Sequence, residues 1–446
     1  MLLATWGHAV RLVTRPPGEH GLAVSLPPSC AKLFDVIGVS DAIERAGFIR
    51  STGNTVWWGQ PDARVEPFAD GARGWQLQVD HLSDVLRDRA IANGVSVADA
   101  PAATVDAQAA PVRFTLDCTG RAGVIARAKR VRRYGDGPRT VALVGEWHRP
   151  GSWPVPDDTH TLIESYDNGW MWSVPVGNGM RHIAAMVDPQ RSNLARGAAE
   201  GVYLAEISKT RIFKALIDGA MLTDGPRGWD ATQYDAAEYA GDDWLLVGDA
   251  GSFIDPLSSA GVKKALASGW LAAIVTHTCL ITPSMRRHAL QFFSAREREI
   301  AAHLSSDSKR FLAAAASGHR HVFWDDRADE PVEPEGKRQE IQRAFDRVKG
   351  LDQTAFRIGT QVSVEPRPCI RGNEIVLEPH LVSPDQPLGV RYVRGTDVVA
   401  MLHIAVAARQ VPEAYETYVN RVGPLALPDF LFALATAVSR GWLVAE

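Results

Sequence analysis

The spacing of hydrophobic and polar residues before one short loop differs from the spacing after it. The apolar run 245–247 ends on Gly248-Asp249, which predicts a buried strand followed by a turn. From Gly261 the apolar positions take a helical spacing, and Lys263 and Lys264 are predicted to turn outward. Because the loop between them brings backbone N–H groups and a helix N-terminus to one point, it is typical of a site for an electron-rich, partly anionic ligand.

A second pattern, of antiparallel strands, covers residues 140–188. Strand-length pieces alternate apolar and polar positions there and are separated by Gly and Pro. Within the segment 169–175, a period of two places Trp170, Trp172 and Val174 on one face. The run 55–59 is a further predicted strand and carries Trp57 and Trp58. Tryptophans in this arrangement either cover a sheet core or line a pocket.

The rest of the chain predicts a helix over 82–92, a strand over 112–116 that enters a second acidic turn at Asp117, and a long helix over 294–312. Residues 296–299 of that helix, Arg-Glu-Arg-Glu, are predicted to form a solvated face. From residue 366 a strand, a hairpin and three short helices predict a separate small module. It is interpreted either as a winged-helix-like module or as a helical cap.

The composition of the chain reduces the number of functional classes to be considered. The 446 residues are enough for two or three cores, and a net charge of -4 gives no reason to expect nucleic acid. Four widely separated cysteines have no metal-ligand spacing and suit a reduced compartment. We see no apolar run of membrane-spanning length and no leader, so we expect a cytoplasmic protein with no metal and no membrane partner.

The stretch 244–269 resembles the second flavin-binding motif of FAD-dependent aromatic hydroxylases and flavin-dependent halogenases. The match is GDA, then DP, then a small residue, glycine and a hydrophobic residue at a helix start. The resemblance implies that Asp249 holds the ribityl chain of FAD and that the amides of Gly261 and Val262 face the isoalloxazine ring. It also implies a halide site at the amides of Ala260 and Gly261. Its cofactor residues are Gly248, Asp249, Asp255, Pro256, Ala260, Gly261 and Val262.

Other segments match the same family. Residues 169–175 are similar to the W-x-W-x-I-P motif of the halogenases, with Val174 replacing isoleucine. Trp57, Trp58, Trp170, Trp172 and Pro175 are therefore the expected substrate pocket. Arg15 stands where the family touches the adenosine ribose, although a solvent-facing turn arginine is an equal interpretation.

Two expected features do not appear in the sequence. We find no G-x-G-x-x-G turn, which in this family cradles the pyrophosphate of FAD. A misassigned start codon is the favoured explanation, and a damaged flavoprotein is the alternative. The segment 47–59 carries Arg50 but no lysine where halogenases have a relay lysine, and Ser258 replaces a family glutamate.

The resemblance implies an α/β protein with a glutathione-reductase-type FAD-binding fold, an antiparallel-sheet substrate domain and a small C-terminal winged-helix-like module. The expected boundaries are 1–51, 75–138 and 235–325 for the FAD-binding domain, 52–74 and 139–234 for the substrate domain, 326–365 for a linker and helix, and 366–446 for the module.

We interpret the protein as an FAD-dependent monooxygenase of the halogenase-like branch. Its substrate would be aromatic, such as an indole or a peptide-borne tryptophan. The FAD would be reduced by NAD(P)H or by a partner flavin reductase. A halogenase and a non-catalytic binding protein derived from a flavoprotein are the alternatives. No catalytic acid or base can be named.

Overall fold

A computed structural model describes residues 1–15, 21–100, 112–135, 137–192, 194, 199–327, 342–346 and 355–445. The chain divides into two units, Met1–Pro331 and Val332–Glu446. The predicted linker over 326–365 lies mostly outside the described residues. We describe each unit by itself.

The first part of unit 1 mixes short helices with short strands. In chain order its elements are α1 Leu2–Thr5, β1 Arg11–Thr14, β2 Ala23–Leu26, α2 Ala31–Ile37, α3 Ser40–Arg45, β3 Ile49–Ser51, β4 Gly53–Trp57, β5 Arg64–Pro67, β6 Gly74–Gln78, α4 Val79–Ala92, β7 Ser96–Asp99, β8 Thr115–Asp117, α5 Val124–Ala128 and β9 Arg132–Tyr134.

The second part of unit 1 begins with long strands and ends with long helices. Its elements are β10 Val141–His148, β11 Thr161–Tyr166, β12 Gly169–Gly177, β13 Met180–Val187, α6 Ala199–Lys209, α7 Ile212–Leu216, β14 Met221–Asp230, β15 Tyr234–Ala236, β16 Ala240–Gly241, β17 Trp244–Leu246, α8 Gly261–Ile281, α9 Arg286–Ala316 and α10 Val322–Asp325.

Seven strands form the large sheet of unit 1, in the order β14-β10-β13-β12-β11-β4-β5. Neighbours are antiparallel except β11 and β4, which run parallel. Successive side chains of a strand point to opposite faces, so each face of the sheet covers its own core. Trp147, Met171 and Ile183 belong to one core, whereas Trp58, Trp170 and Met186 belong to the other.

Parallel pairing is found in two smaller sheets of unit 1. β1 pairs with β7, and β8 pairs with β17, which also pairs in the antiparallel direction with the preceding strand β16. Ligands of α/β sheets bind outside the carboxyl ends of the parallel strands. The turns after β8 and β17 therefore mark the edge at which a site is expected.

Helix α8 is the central helix beside this edge. An 18-residue window of this 21-residue helix reaches a mean hydropathy of 1.3, so length and composition alone would allow it to cross a membrane, contrary to the sequence-based expectation. However, 61% of that apolar window is buried within the protein, as in a core helix of a soluble fold. It packs against α9.

Unit 2 is a small mixed unit with its own core. Its elements are β18 Phe356–Ile358, β19 Ser363–Arg371, β20 Glu374–Ser383, β21 Gln386–Val390, β22 Tyr392–Val393, β23 Thr396–Asp397, α11 Val398–Ala407, α12 Val411–Arg421, α13 Leu427–Ser439 and β24 Leu443–Ala445. Because β18 pairs with the closing strand β24, the unit includes strand residues before the expected start at 366.

Three helices enclose the core of unit 2. Met401 from α11, Tyr418 from α12 and Phe430 from α13 meet there and are almost fully buried. The Asp397 side chain caps α11 by accepting a hydrogen bond from the Ala400 amide at 3.0 Å. The Tyr418 hydroxyl accepts a hydrogen bond from the Asp397 amide at 2.7 Å, so the cap is tied to the core.

Two leucines of α13 provide a matched test of this core. Leu434 is fully buried, whereas Leu427 on the same helix is 44% exposed. We predict that Leu434→Ala destabilises unit 2 by about 2–5 kcal/mol, because it removes a packed side chain and leaves a cavity. Leu427→Ala should change the stability of unit 2 by less than about 0.5 kcal/mol. Hydrogen exchange of the α13 amides in increasing urea measures both, and equal effects would contradict the packing described.

Candidate flavin-binding site

Gly248 forms the turn that follows β17. Its φ is +59°, and an added Cβ would lie 3.2 Å from the Cα of Ala265 on α8. Its amide donates a hydrogen bond to the Ser268 hydroxyl at 2.9 Å. A side chain would therefore meet both a strained backbone and the facing helix, so this position requires glycine. The turn is held directly against α8.

Asp249 is the residue that this turn presents. Its side chain is 28% exposed, and one of its oxygens lies 3.2 Å from the ammonium of Lys264. Lys264 is only 1% exposed and also donates to the Ser252 carbonyl. The prediction that Lys264 turns outward is therefore wrong. A buried ammonium needs such partners, since it has lost its hydration.

The second half of the loop leads into α8. The Asp255 carboxylate accepts a hydrogen bond from the Leu257 amide at 3.0 Å, with Pro256 between them. Burial raises the pKa of Asp255, while the Arg327 guanidinium acts in the opposite direction. After Ser259, at a φ of +48°, the helix starts at Gly261.

The N-terminus of α8 is open to a ligand. Among the side chains that the structure describes, none makes a cap hydrogen bond at Ala260. The first amides of a helix have no partner within the helix, so those of Gly261 and Val262 are available as donors, and the helix dipole favours electron-rich groups there. An added Cβ at Gly261 would meet no atom within 4 Å, which leaves open space at this point.

A second acidic turn lies beside the first. The Asp117 side chain, at the end of β8, accepts hydrogen bonds from the amides of Thr119 at 3.0 Å and Ile125 at 2.7 Å. The Arg121 guanidinium that follows stacks 4.0 Å from the ring centre of Phe253 and pairs with Asp230 at 3.0 Å. Both turns lie at the carboxyl ends of the paired parallel strands β8 and β17.

A cavity of about 220 Å³ connects this loop with the large sheet. Leu257 and Ser259 form its loop side, and Phe311 of α9 forms another wall. The remaining lining residues are Ser25, Pro27, Asn54, Val56, Trp58, Arg64, Glu66, Phe68 and Ile163. No lysine is among the described residues that line it.

The four sheet tryptophans predicted for the pocket are not all in one place. Trp58 lines the cavity and meets Trp170 edge to face, with 6.1 Å between ring centres. Trp172 lies 5.5 Å from Trp170, and neither of these two residues is among those that line the cavity. Trp57 points to the opposite face of the sheet, because it is the immediate neighbour of Trp58 in an extended segment.

Two further expected residues lie elsewhere. Pro175 is buried in β12 opposite Arg181 and does not line the cavity. Arg15 is exposed directly after β1, at the carboxyl end of that parallel strand.

Arg50 does not replace a relay lysine. Its guanidinium pairs with Glu44 at 2.5 Å and stacks 4.5 Å from the ring centre of Trp75. These contacts hold it on the small sheet that β3 forms with β6, and it is not among the residues that line the cavity.

Trp324 and Glu297 are buried residues that the sequence analysis missed. Trp324 of α10 packs edge to face on Trp58, with 5.6 Å between ring centres. Glu297 of α9 is 1% exposed, so the predicted solvated face over 296–299 is wrong at this residue. A charged residue flanked by arginines gives no sequence signal of burial. Burial raises the pKa of Glu297 to about 7, and Ser268 and Lys264 oppose that rise.

Comparison with known proteins supports a flavoprotein. No family profile matches the chain. Over 299 residues the chain is 27% identical to a tryptophan 2-halogenase from Chondromyces crocatus, which covers 61% of this chain and 57% of that protein. It is 29% identical over 178 residues to the flavin-dependent halogenase gsfI from Penicillium aethiopicum. The chain spans only 57% and 33% of the length of these two relatives.

Solved structures show the same fold. The crystal structure of the flavin-dependent halogenase CmlS matches 100% of this chain and 93% of its own, with a TM-score of 0.77 and 18% identity. The peptidyl tryptophan dihydroxylase QhpG matches 99% of this chain and 95% of its own, with a TM-score of 0.68 and 21% identity.

The mixed α/β fold and the loop between β17 and α8 therefore define a flavoprotein-like chain. In sequence and in fold the chain is similar to flavin-dependent halogenases and FAD-dependent monooxygenases, and the resemblance recognised in its sequence is confirmed.

The buried carboxyl group of Glu297 predicts a pH dependence of stability. Between its ordinary pKa of 4.5 and about 7, the folded protein holds a proton that the unfolded chain has lost. The contribution of Glu297 to the free energy of unfolding should therefore be fully present below about pH 4.5, decline as the pH rises and be lost by about pH 7. We predict that Glu297→Gln removes this decline, because the amide stays neutral.

Urea unfolding from pH 4.5 to 8.5 checks this prediction. The matched control is Glu299→Gln, two residues away, where the side chain is 53% exposed and pairs with Arg296. This control should keep the wild-type pH profile. Parallel profiles for wild type and Glu297→Gln would show that Glu297 does not titrate in this range.

Proposed function

We propose that this chain is an FAD-dependent monooxygenase of the halogenase-like branch that acts on an aromatic substrate. One observation carries the proposal: the cavity that borders the flavin-type loop at Leu257 and Ser259 has mostly apolar walls and no lysine among its described lining residues. Bound FAD, once reduced by NAD(P)H or a partner flavin reductase, would supply the activation of O₂.

The described residues fit a flavin. The open end of α8 at Gly261 and Val262 offers two backbone donors, and the partly buried Asp249 offers a carboxylate beside them. In our proposal Asp249 accepts hydrogen bonds from the ribityl chain, and the two amides hold the electron-rich edge of the isoalloxazine ring. Gly248, Asp255 and Pro256 shape the loop, and Ala260 precedes the helix.

The size of the cavity supports a single aromatic ring system as substrate. Its volume of about 220 Å³ exceeds the roughly 150 Å³ of an engineered apolar cavity that binds benzene. Val56, Trp58 and Phe311 would contact the faces and edges of the ring and keep water away from it. An indole has the required size and apolar character, in line with the tryptophan-modifying relatives.

Halogenation is the second candidate, because the curated relatives are halogenases. The amides of Ala260 and Gly261 would be the halide site in such an enzyme. Oxygenation is favoured because Arg50 is committed to Glu44 and Trp75, no lysine is among the described residues that line the cavity, and the arginine that does line it, Arg64, pairs with Glu66. A non-catalytic binding protein stays the third hypothesis, since the sequence has no G-x-G-x-x-G turn.

A peptide-borne tryptophan is a further substrate hypothesis. The hairpin of β19 and β20, the three following helices and the closing strand of unit 2 are consistent with a winged-helix-like module. QhpG, a dihydroxylase of peptidyl tryptophan, matches nearly the whole chain in fold. We propose unit 2 as the part that would hold such a peptide.

The product distinguishes oxygenation from halogenation. With FAD, a flavin reductase, NADH, O₂ and an indole or a tryptophan-containing peptide, we predict a product heavier by oxygen, in buffer with or without excess bromide. The physical reason is that no lysine is among the described residues that line the cavity. Mass spectrometry reads both outcomes, since the bromine isotope pattern is unmistakable. A brominated product would contradict the proposal, and unchanged substrates together with no FAD binding would favour the binding-protein hypothesis.

Asp249 provides a direct test of the cofactor site. We predict that Asp249→Ala raises the Kd for FAD by about 10- to 150-fold, because it removes a charge-assisted hydrogen bond of about 1.5–3 kcal/mol. The control is Asp243→Ala, because Asp243 is exposed ahead of β17. Quenching of flavin fluorescence measures both affinities, and equal Kd values for the two variants would remove Asp249 from the site.

A further inference from the structure

Lys264 occupies an unfavourable position for a cation. Its amide donates to the Ala260 carbonyl at 2.8 Å, which places it at the end of the first turn of α8. The N-terminal end of a helix carries partial positive charge, so the helix dipole disfavours an ammonium there. Only 1% of the Lys264 side chain is exposed, so water does not offset that cost. A cation in such a position requires compensation from its neighbours.

The turn after β17 supplies this compensation. The Lys264 ammonium lies 3.2 Å from Oδ1 of Asp249 and also donates to the Ser252 carbonyl. One helical turn further along α8, the Ser268 hydroxyl accepts a hydrogen bond from the Gly248 amide at 2.9 Å. Residues four apart lie on the same face of a helix. Lys264 and Ser268 therefore tether the turn to one face of α8.

The Asp249 carboxylate is held at one of its two oxygens. Its Oδ1 pairs with Lys264, and within the described ranges the side chain has no other hydrogen bond or ion pair. The Asp249 carbonyl accepts a hydrogen bond from the Tyr234 hydroxyl, so the residue is also held at its main chain. Because 28% of the side chain is exposed, Oδ2 is left as an acceptor for a ligand.

We propose that Lys264 is a positioning residue that orients the Asp249 carboxylate for the flavin. This inference rests on the proposed function, in which ribityl hydroxyl groups donate hydrogen bonds to Asp249. The ammonium holds Oδ1, so that Oδ2 is presented to the ligand before the ligand arrives. Such preorganisation strengthens binding, because the side chain does not have to be ordered when the flavin binds.

Lys264 acts only through Asp249 in this proposal, because its buried side chain does not reach the exposed space in front of the turn. The two residues should therefore be coupled. Loss of the lysine weakens binding while Asp249 is present and has no further effect once the carboxylate is gone. A lysine that only supported the loop through the Ser252 carbonyl would weaken binding in either background.

A double-mutant cycle on the Kd of FAD, measured by quenching of flavin fluorescence, tests this coupling. Lys264→Met removes the ammonium but keeps an unbranched side chain, and it should raise the Kd by about 5- to 30-fold, as for other residues in contact. In an Asp249→Ala background the same change should alter the Kd by less than about twofold. The control Lys214→Met removes an exposed lysine of α7 and should keep the wild-type Kd.

Lys264→Gln provides a second variant for the cycle in case Lys264→Met does not fold, which circular dichroism detects. The glutamine amide can still donate to Asp249 or to the Ser252 carbonyl, but it carries no charge. Its Kd should therefore lie between those of wild type and Asp249→Ala, and it should also have no further effect in the Asp249→Ala background.

The outcomes separate the positioning role from the proposed function. Wild-type affinity in the Lys264 variants, or a further rise in Kd beyond about twofold when they are combined with Asp249→Ala, overturns the positioning role and leaves the flavoprotein assignment intact. Wild type that binds no FAD contradicts the proposed function and this inference together.

Discussion

The close contact between Gly248 and α8 is the constraint on which the candidate site depends. The backbone of the turn approaches Ala265 so closely that a Cβ would be crowded, and the Gly248 amide is satisfied by Ser268. This contact fixes the end of β17 relative to the helix. As a result, Asp249 and the open N-terminus of α8 face the same space, a geometry that neither element provides alone.

The same helix gives the site its rigidity and its charge. Its apolar length is mostly buried and it packs against α9, and among the described residues no side chain makes a cap hydrogen bond at Ala260. Lys264 interrupts this apolar surface and would be costly to bury without Asp249 and the Ser252 carbonyl. Sheet, loop and α9 then enclose a cavity next to the loop, with Trp58 and Phe311 in its walls. The candidate flavin site and the cavity proposed for the substrate are therefore adjacent in unit 1.

Local patterns predicted the parts of the fold that depend on local sequence. The strand before Gly248, the helix after Gly261 and the alternation that pairs Trp170 with Trp172 all follow from periodicity, and the structure contains them. The flavin-type motif could be read because glycine, aspartate and proline have backbone roles at fixed spacing. These signals need no knowledge of distant partners.

Residues that depend on distant partners could not be predicted in this way. Lys264 and Glu297 look like surface charges in a helical pattern, and only the packing of α8 on α9 buries them. Trp57 was grouped with Trp58 although neighbouring residues of a strand face opposite cores. Trp324 comes from a helix far along the chain, so nothing near Trp58 in sequence indicates their contact.

The central claim is that the loop between β17 and α8 binds a flavin through backbone amides. Hydrogen exchange of the amides 260–263, followed by mass spectrometry with and without FAD, tests it most directly. The account predicts slower exchange of these amides when FAD is present, with no change at the exposed N-terminus of α13 in unit 2. Saturating FAD that leaves the exchange of 260–263 unchanged would contradict the account.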